Sequence, residues 1–233
     1  MAHRRTQGPS VVEGTPVNRM TRQRQRTHDR LVDAALSVMA RKGADLTTIQ
    51  DITETADVGF GSFYNHFSSK EEIMNEAIDA LFERIGAQID AETATISDPL
   101  EVVAAGIRIF INIILVKRDW WQFILRVSMV PEFKKVGLFP RLFRDVKAAE
   151  AAGRLSIADS EAAIYAVAGA LVFLSRALLE GDLPKTDAST RIAAMALRAL
   201  GVGEDDVTDL MSRPLPGRPK TALAAGGTRK SAS

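Results

Sequence analysis

Cysteine is absent from all 233 residues, so disulfides and thiolate metal sites are excluded and a reducing compartment is compatible. Histidine is nearly absent: His3, His28 and His66 are the whole complement. No HExxH, P-loop or GxGxxG pattern occurs, and Gly59-Phe60-Gly61 has neither a third glycine nor a preceding strand. Glu204-Asp205-Asp206, just past a predicted helix, reads as a solvated face rather than a metal site. No catalytic residue, metal ligand or cofactor is assigned, and an enzyme is the disfavoured class. A long apolar run is missing too. The longest, Val102 to Val116, is broken by Arg108 and Asn112, whereas a spanning helix needs about 20 residues. The N-terminus carries no apolar h-region of a secretory signal. A cytoplasmic protein without a membrane partner is expected.

Charge of one sign is also missing. The net charge is +1 and 46% of residues are hydrophobic, which suits a globular chain with one fair-sized core, or a small domain plus a larger one. The distribution is uneven, however. Residues 1–28 carry Arg4, Arg5, Arg19, Arg22, Arg24 and Arg26 against Glu13 alone. Residues 212–233 carry Arg213, Arg218, Lys220, Arg229 and Lys230 with no acid. Both ends are basic and the body is balanced.

The stretch from Leu46 to Lys70 holds two short apolar-periodic segments with a tight break between them. Thr47 is expected to cap the first, with Gln50 at the capping-box position. Ile49, Ile52 and Ala56 share its inner face. Asp57-Val58-Gly59 interrupts the pattern. The second segment is predicted from about Phe60 to Phe67, with Phe63 and Phe67 as anchors and Ser62, Tyr64, Asn65 and His66 as polar groups. Ser69 and Glu72 offer a further capping box to the next helix. Two short helices joined by a glycine-containing turn describe either a helix-turn-helix or an ordinary helical hairpin. In the former, the second helix enters the DNA major groove, where Asn can pair with adenine and Ser with a base or phosphate.

This stretch resembles the DNA-binding segment of TetR-family repressors. The resemblance rests on Ala34, Ala35, Gly43, Thr47, Thr48, Ser62, Tyr64, His66, Phe67, Ser69, Lys70, Glu71 and Ile73, and covers Arg26 to Glu76. Gly59 stands where the family usually has Ser, Thr53 where it has Ala, and Phe60 where an exposed polar residue is common. The resemblance implies double-stranded DNA as partner and a contact set of Thr48, Gln50, Gly59, Phe60, Ser62, Tyr64, Asn65, His66 and Lys70. It also implies a homodimer and a repressor released from a palindromic operator by a small molecule. An activator of the same fold, and an architectural DNA-binding protein without effector, are the alternatives.

The whole chain is predicted all-α, since no segment alternates convincingly as a strand. Residues 1–20 read as a disordered basic arm, which either touches DNA or is a solvated tail. Residues 21–68 read as a three-helix DNA-binding domain, its first helix running from about Thr21 to Lys42 with a basic start. Residues 69–211 read as a larger helical domain for effector binding and dimerisation. Its helices are predicted at Lys70 to about Glu92, 99–117, a short one between Asp119 and Pro131, Pro140 to Ala152, 157–180 and 187–200. Residues 212–233 read as a disordered basic tail, in which Gly217-Arg218-Pro219 weakly resembles an AT-hook core.

Two parts of the larger domain differ in kind. Residues 158–178 are rich in Ala and Gly, which suits close helix–helix approach. Residues 106–143 are rich in large apolar groups, which form either plain core or a pocket. The family resemblance places a mostly apolar effector here, lined by Phe110, Ile114, Trp121, Phe123, Phe133 and Phe143. Asn112, Arg126 and Arg176 are candidates to orient it, and their Arg forks would favour an anionic head. Arg108 is expected to face outward.

Overall fold

The computed structural model describes residues 19–116 and 137–217, and every regular element in them is an α-helix. They are α1 Arg19–Lys42, α2 Ile49–Ala56, α3 Phe60–Phe63, α4 Lys70–Thr93 and α5 Pro99–Val116, followed by α6 Leu138–Ala151, α7 Ser160–Glu180, α8 Ala188–Ala199 and α9 Glu204–Ser212. The short helix expected between Asp119 and Pro131 lies outside the described residues, as do residues 1–18 and 218–233.

The N-terminal unit closes around the stripe of α1. Leu31, Ala34, Ala35, Val38 and Met39 are buried there against Ile52, Ala56, Phe63, Phe67 and Ile73. Thr53 is buried as well, and its hydroxyl donates to the Gln50 carbonyl at 3.0 Å. A polar β-branched residue is therefore accommodated at a close helix contact without an orphaned group. Asp57 ends α2 in the left-handed region, with φ at +51°. Such a conformation is unusual for a residue with a Cβ, although Asp tolerates it better than most. The Arg30 guanidinium sits over this helix end. It donates to the carbonyls of Ala56 and Asp57, the latter at 2.9 Å, and pairs with the Asp57 carboxylate at 3.3 Å.

In the larger unit α5 is the central rod. Leu100, Ile111 and Ile114 are fully buried, and α5 packs against α4, α6, α7, α8 and α9. Its start is set by Asp98, whose carboxylate accepts from Leu100 N at 3.0 Å, with Pro99 in the first turn. By length and composition α5 and α7 are apolar enough to cross a membrane, with mean hydropathies of 2.0 and 1.9. For α5, position explains the composition, since helices surround it. The long α4 joins the two units: it packs on α1 through Ile73, Met74 and Ala77, and on α5 through its later turns.

Three expectations for the C-terminal part are corrected. A helix was missed at Glu204–Ser212; its first turn holds Glu204, Asp205 and Asp206, which complement the helix dipole, and Val207 and Leu210 are its buried face. Its acids keep largely exposed side chains, and two of them are paired: Glu204 with Arg198, and Asp206 with Arg154 at 3.5 Å. The chain past Ser212 is not a free tail through residue 217. Arg213 pairs with Glu101 and Asp209, and Leu215 packs on the core. Arg108, expected to face water, is half-buried and donates to the Arg213 carbonyl at 2.8 Å. Burial pushes its guanidinium below its ordinary pKa.

A polar clasp fastens α6 to α4. Arg141 lies across Gly86 and donates to Asp90 at 2.8 Å, Glu83 at 3.0 Å and the Gly137 carbonyl at 2.7 Å. Arg144 adds a second bond to Asp90 at 2.7 Å. A Cβ at residue 86 would stand 2.6 Å from the Arg141 side chain, so the glycine is needed for this crossing. The Arg141 hydrogen bond holds the Glu83 carboxyl below its usual range. Burial pushes Asp90 up, but the bonds from Arg144 and Arg141 outweigh it and leave Asp90 lowered too.

Two outcomes are expected. Asp57→Gly should stabilise the protein by about 0.5–1 kcal/mol, because relief of the left-handed strain outweighs the added freedom of the unfolded chain. Thermal unfolding checks this, and an unchanged or lower midpoint would contradict it. Gly86→Ala should destabilise the native protein but stabilise the Arg141→Ala variant by up to about 1 kcal/mol, the ordinary helix preference for Ala. Both carboxylates are depressed, so the clasp contributes fully above their unfolded range and fades as pH falls below that range through their lowered folded values. Urea denaturation of the four proteins, at neutral and acidic pH, measures the coupling.

Candidate nucleic-acid interface

The helix-turn-helix is built from short pieces with specific caps. Thr48, rather than Thr47, caps α2: its hydroxyl accepts from Asp51 N at 3.1 Å, and the Asp51 carboxylate accepts from Thr48 N at 3.2 Å. The expected box of Thr47 with Gln50 is therefore corrected by one position. Thr47 is buried instead, donating to the Gly43 carbonyl at 2.7 Å, and Gln50 is exposed and paired with Glu54 at 2.8 Å. The acid three residues after Thr48 decides the matter, because a carboxylate accepts from the cap backbone better than an amide. Lys42 also reaches Asp51, and these bonds hold its carboxyl below the usual range.

The second element is shorter than expected. Only Phe60–Phe63 is helical, and residues 64–66 form a turn. Its bonds are of the tight kind: Ser62 N to Gly59 O at 2.8 Å, Asn65 N to Ser62 O at 3.2 Å and His66 N to Phe63 O at 2.9 Å. Gly59 caps it without a side-chain bond. A run of aromatic, Asn and His residues has weak helix propensity, so the segment stops where burial stops supporting it. Phe63 and Phe67 are that support, both essentially inaccessible to solvent. Ser69 then caps α4 by accepting from Glu72 N at 3.1 Å, while the Glu72 carboxylate turns to Ser68 N at 2.6 Å rather than closing the expected box on Ser69.

The residues expected to contact DNA are all at least partly accessible. Thr48, Gln50, Gly59, Phe60, Tyr64 and Asn65 are exposed, and Ser62, His66 and Lys70 are half-buried among them. Gln23, Arg24 and Thr27 of α1 line an open groove of about 420 Å³ together with Asn65 and His66. Arg24 donates to the Asn65 carbonyl at 3.2 Å, so the basic start of α1 is tied to the recognition turn. Burial, and then the neighbouring His28 and Arg24, push the His66 imidazole below its usual pKa. This favours the neutral ring, which offers one donor and one acceptor.

The expected effector residues divide. Phe110 and Ile114 are buried in α5, whereas Asn112 is only half-buried. Phe143 is half-buried beside Phe139, with Lys147 over its ring. Trp121, Phe123, Arg126 and Phe133 lie outside the described residues. Arg176 does not join the interior set: it lies on the outer face of α7, paired with Glu180 at 2.8 Å. The reason is register, since Ser175 and Leu178 take the buried face and Arg176 follows Val172 and Phe173 outward. Two buried polar residues of α4 were not expected. Gln88 donates to Glu92 at 2.7 Å, and the Gln88 Oε1 atom is buried without a partner. A polar pair at i and i+4 on an otherwise apolar stripe was the available signal.

Before Arg176, the outer face of α7 is largely apolar. Tyr165, Val172 and Phe173 are 41%, 50% and 72% exposed, with Ala162, Ala166 and Gly169 exposed between them.

Known proteins share this arrangement. Residues 31–77 match the family described as bacterial regulatory proteins, tetR family. Residues 98–213 match the tetracyclin repressor-like C-terminal domain. Among curated proteins, the chain is 33% identical over 105 residues to the HTH-type transcriptional regulator TcmR of Streptomyces glaucescens, covering 44% of this chain and 46% of TcmR. It is 36% identical over 77 residues to the HTH-type transcriptional repressor KstR2 of Mycolicibacterium smegmatis, covering 31% and 36% of the two. The matched stretch thus spans under half the length of these curated relatives. Among solved structures, RolR in complex with resorcinol is 31% identical with a TM-score of 0.71, over 85% of this chain and 99% of RolR. With these matches over both units, the chain belongs to the TetR family of transcriptional regulators.

Proposed function

We propose that this chain is a cytoplasmic, homodimeric DNA-binding repressor, released from a near-palindromic operator by a small, mostly apolar effector. The carrying observation is the exposed row on the helix-turn-helix, held rigid from behind by Phe63 and Phe67. In this reading Ser62 and Asn65 face bases. Thr48, Tyr64, His66 and Lys70 hold phosphates, and Gln50 and the Gly59 amide flank them. The transcriptional repressor KstR2 and the negative transcriptional regulator IcaR among the relatives support the same reading.

The outer face of α7 supplies the dimer contact, joined by α8, as an isologous interface. Its small residues allow close approach, and Phe173 is too exposed to be left in water at no cost. The effector lies among α4 to α7, against Phe110 and Ile114. Gln88 Oε1 is a buried acceptor that a ligand hydroxyl would satisfy. With Arg176 outside, an anionic head would depend on Arg126. The bound resorcinol of RolR, a small ring with hydroxyl groups, supports the hydroxyl-bearing class. A hundredfold loss of operator binding requires the effector to prefer the DNA-incompetent form by about 2.7 kcal/mol.

Selection from a randomised duplex pool should return a near-palindrome with half-sites about one helical turn, or a multiple, apart. Lys70→Ala should weaken selected and shuffled duplexes alike and reduce the salt slope by about 0.9, the value for one phosphate. Equal affinity for selected and shuffled duplexes at all salt concentrations would refute sequence reading. Gly169→Glu, where an added side chain meets no neighbour within the chain, should yield a folded monomer with weak operator binding. A monomeric native protein in light scattering at micromolar concentration would overturn the dimer. Operator release is tested with resorcinol and with long-chain acyl carboxylates. Release by neither, with Gln88→Leu gaining stability, would end the effector reading and leave DNA binding standing.

A further inference from the structure

Phe60 is a large apolar side chain that the fold does not use. It is 53% exposed, and it shares the outer face of the recognition turn with Tyr64 and Asn65, opposite the buried Phe63 and Phe67. The residues on either side are glycines. A Cβ at Gly59 would meet only the Ser62 hydroxyl, at 3.8 Å, and one at Gly61 would meet nothing within 4 Å. Neither glycine has a left-handed φ. Packing therefore does not demand them, and their effect is to leave the Phe60 ring standing alone beside bare backbone. Tyr64 meets that ring edge-on, with centroids 5.9 Å apart at 70°. The contact restricts the ring, so less side-chain freedom is lost when it is covered.

The chemistry of the ring selects its counterpart. A phenyl group has no donor or acceptor for a base edge. In the major groove the thymine C5-methyl is the one apolar group that the base pairs present. Against guanine O6, cytosine N4 or adenine N6, the ring would displace water without replacing its hydrogen bonds. It therefore favours thymine both by attraction and by exclusion of the other bases. We propose that Phe60 is the thymine-methyl reader of this protein's operator, setting an A·T pair at one position in each half-site. The inference rests on the reading that this turn enters the major groove.

The test uses the full-length protein and the duplex it selects from a randomised pool. Each thymine in the half-sites is replaced in turn by uracil, which removes the methyl and leaves base pairing intact. At one symmetric position the native protein should lose about fourfold in affinity per methyl, the equivalent of about 0.8 kcal/mol. Phe60→Ala should bind the thymine and uracil duplexes equally, and Phe60→Leu should keep part of the difference. Circular dichroism checks that both variants fold, as expected for an exposed position. The proposal is overturned if the native protein ignores every thymine-to-uracil change, or if Phe60→Ala still discriminates at the same position, while the selected duplex remains bound. If no duplex is enriched, the major-groove reading fails and the proposal falls with it.

Discussion

Burial of two rings holds the DNA-reading surface together. Helix nucleation is unfavourable, and isolated helices shorter than about 12–15 residues are marginal in water. α2 has 8 residues and α3 only 4, so neither can be held by its own backbone bonds. Phe63 and Phe67 bury fully against α1, and His28 stacks on Phe67 with centroids 4.8 Å apart. Each ring contributes on the order of 2–3 kcal/mol of transfer free energy, against about 0.5–1.5 kcal/mol net for one hydrogen bond. The polar groups on the opposite side owe their positions to this anchoring, not to helix propensity. A turn held from behind can therefore afford a bare Gly59 at its cap.

The features legible in the sequence are those set by apolar period. The stripes of α1 and α4 were readable because burial repeats every three to four residues over many turns. Stops at Gly43, Gly153, Gly181 and Gly201 were readable because all four take positive φ. Legibility failed where two local choices differ by little. Adjacent Thr47 and Thr48 can each cap; Asp51 favours Thr48, and the Lys42 contact to Asp51 together with burial of Thr47 adds tertiary support. α9 escaped because its first three residues are acidic, which reads equally as a solvated loop and as a favourable first helical turn. Its apolar stripe is also only three residues long.

Charged residues inside apolar helices were the least legible. Arg108 and Arg176 have similar neighbours in sequence, yet one is half-buried under the chain past α9 and the other faces water. Each falls where the helix phase puts it, and phase within a nearly uniformly apolar helix is poorly fixed by period alone. The same uniformity hid the outer face of α7, since a stripe of small residues on one helix cannot say which side is covered. By contrast the split between exposed and buried positions in the helix-turn-helix was legible. In the recognition turn the outward positions are polar or glycine except Phe60 and Tyr64, and the inward ones are phenylalanine.

α4 is where the two units meet mechanically. It is continuous from Lys70 to Thr93, about 36 Å at 1.5 Å per residue. Its first turns are fixed to α1, and Arg84 adds an ion pair to Asp33. Its later turns are fixed to α5 by apolar packing and to α6 by the Arg141 and Arg144 clasp. A helix gripped at both ends transmits displacement instead of absorbing it. A tilt of about 5° at the clasp moves the Lys70 end, about 24 Å from Gly86, by about 2 Å. Hydrogen bonds to phosphates tolerate only a few tenths of an ångström around 2.7–3.2 Å. Two half-sites must be engaged together in the proposed dimer, so such a tilt in each protomer would put both recognition turns out of register at once. The bare Gly86 beneath Arg141 matters for the same reason. It lets a charged, hydrogen-bonded side chain lie close against the α4 backbone, and such a contact has a definite geometry to lose. A purely apolar contact at the same place could slide without a comparable change in energy.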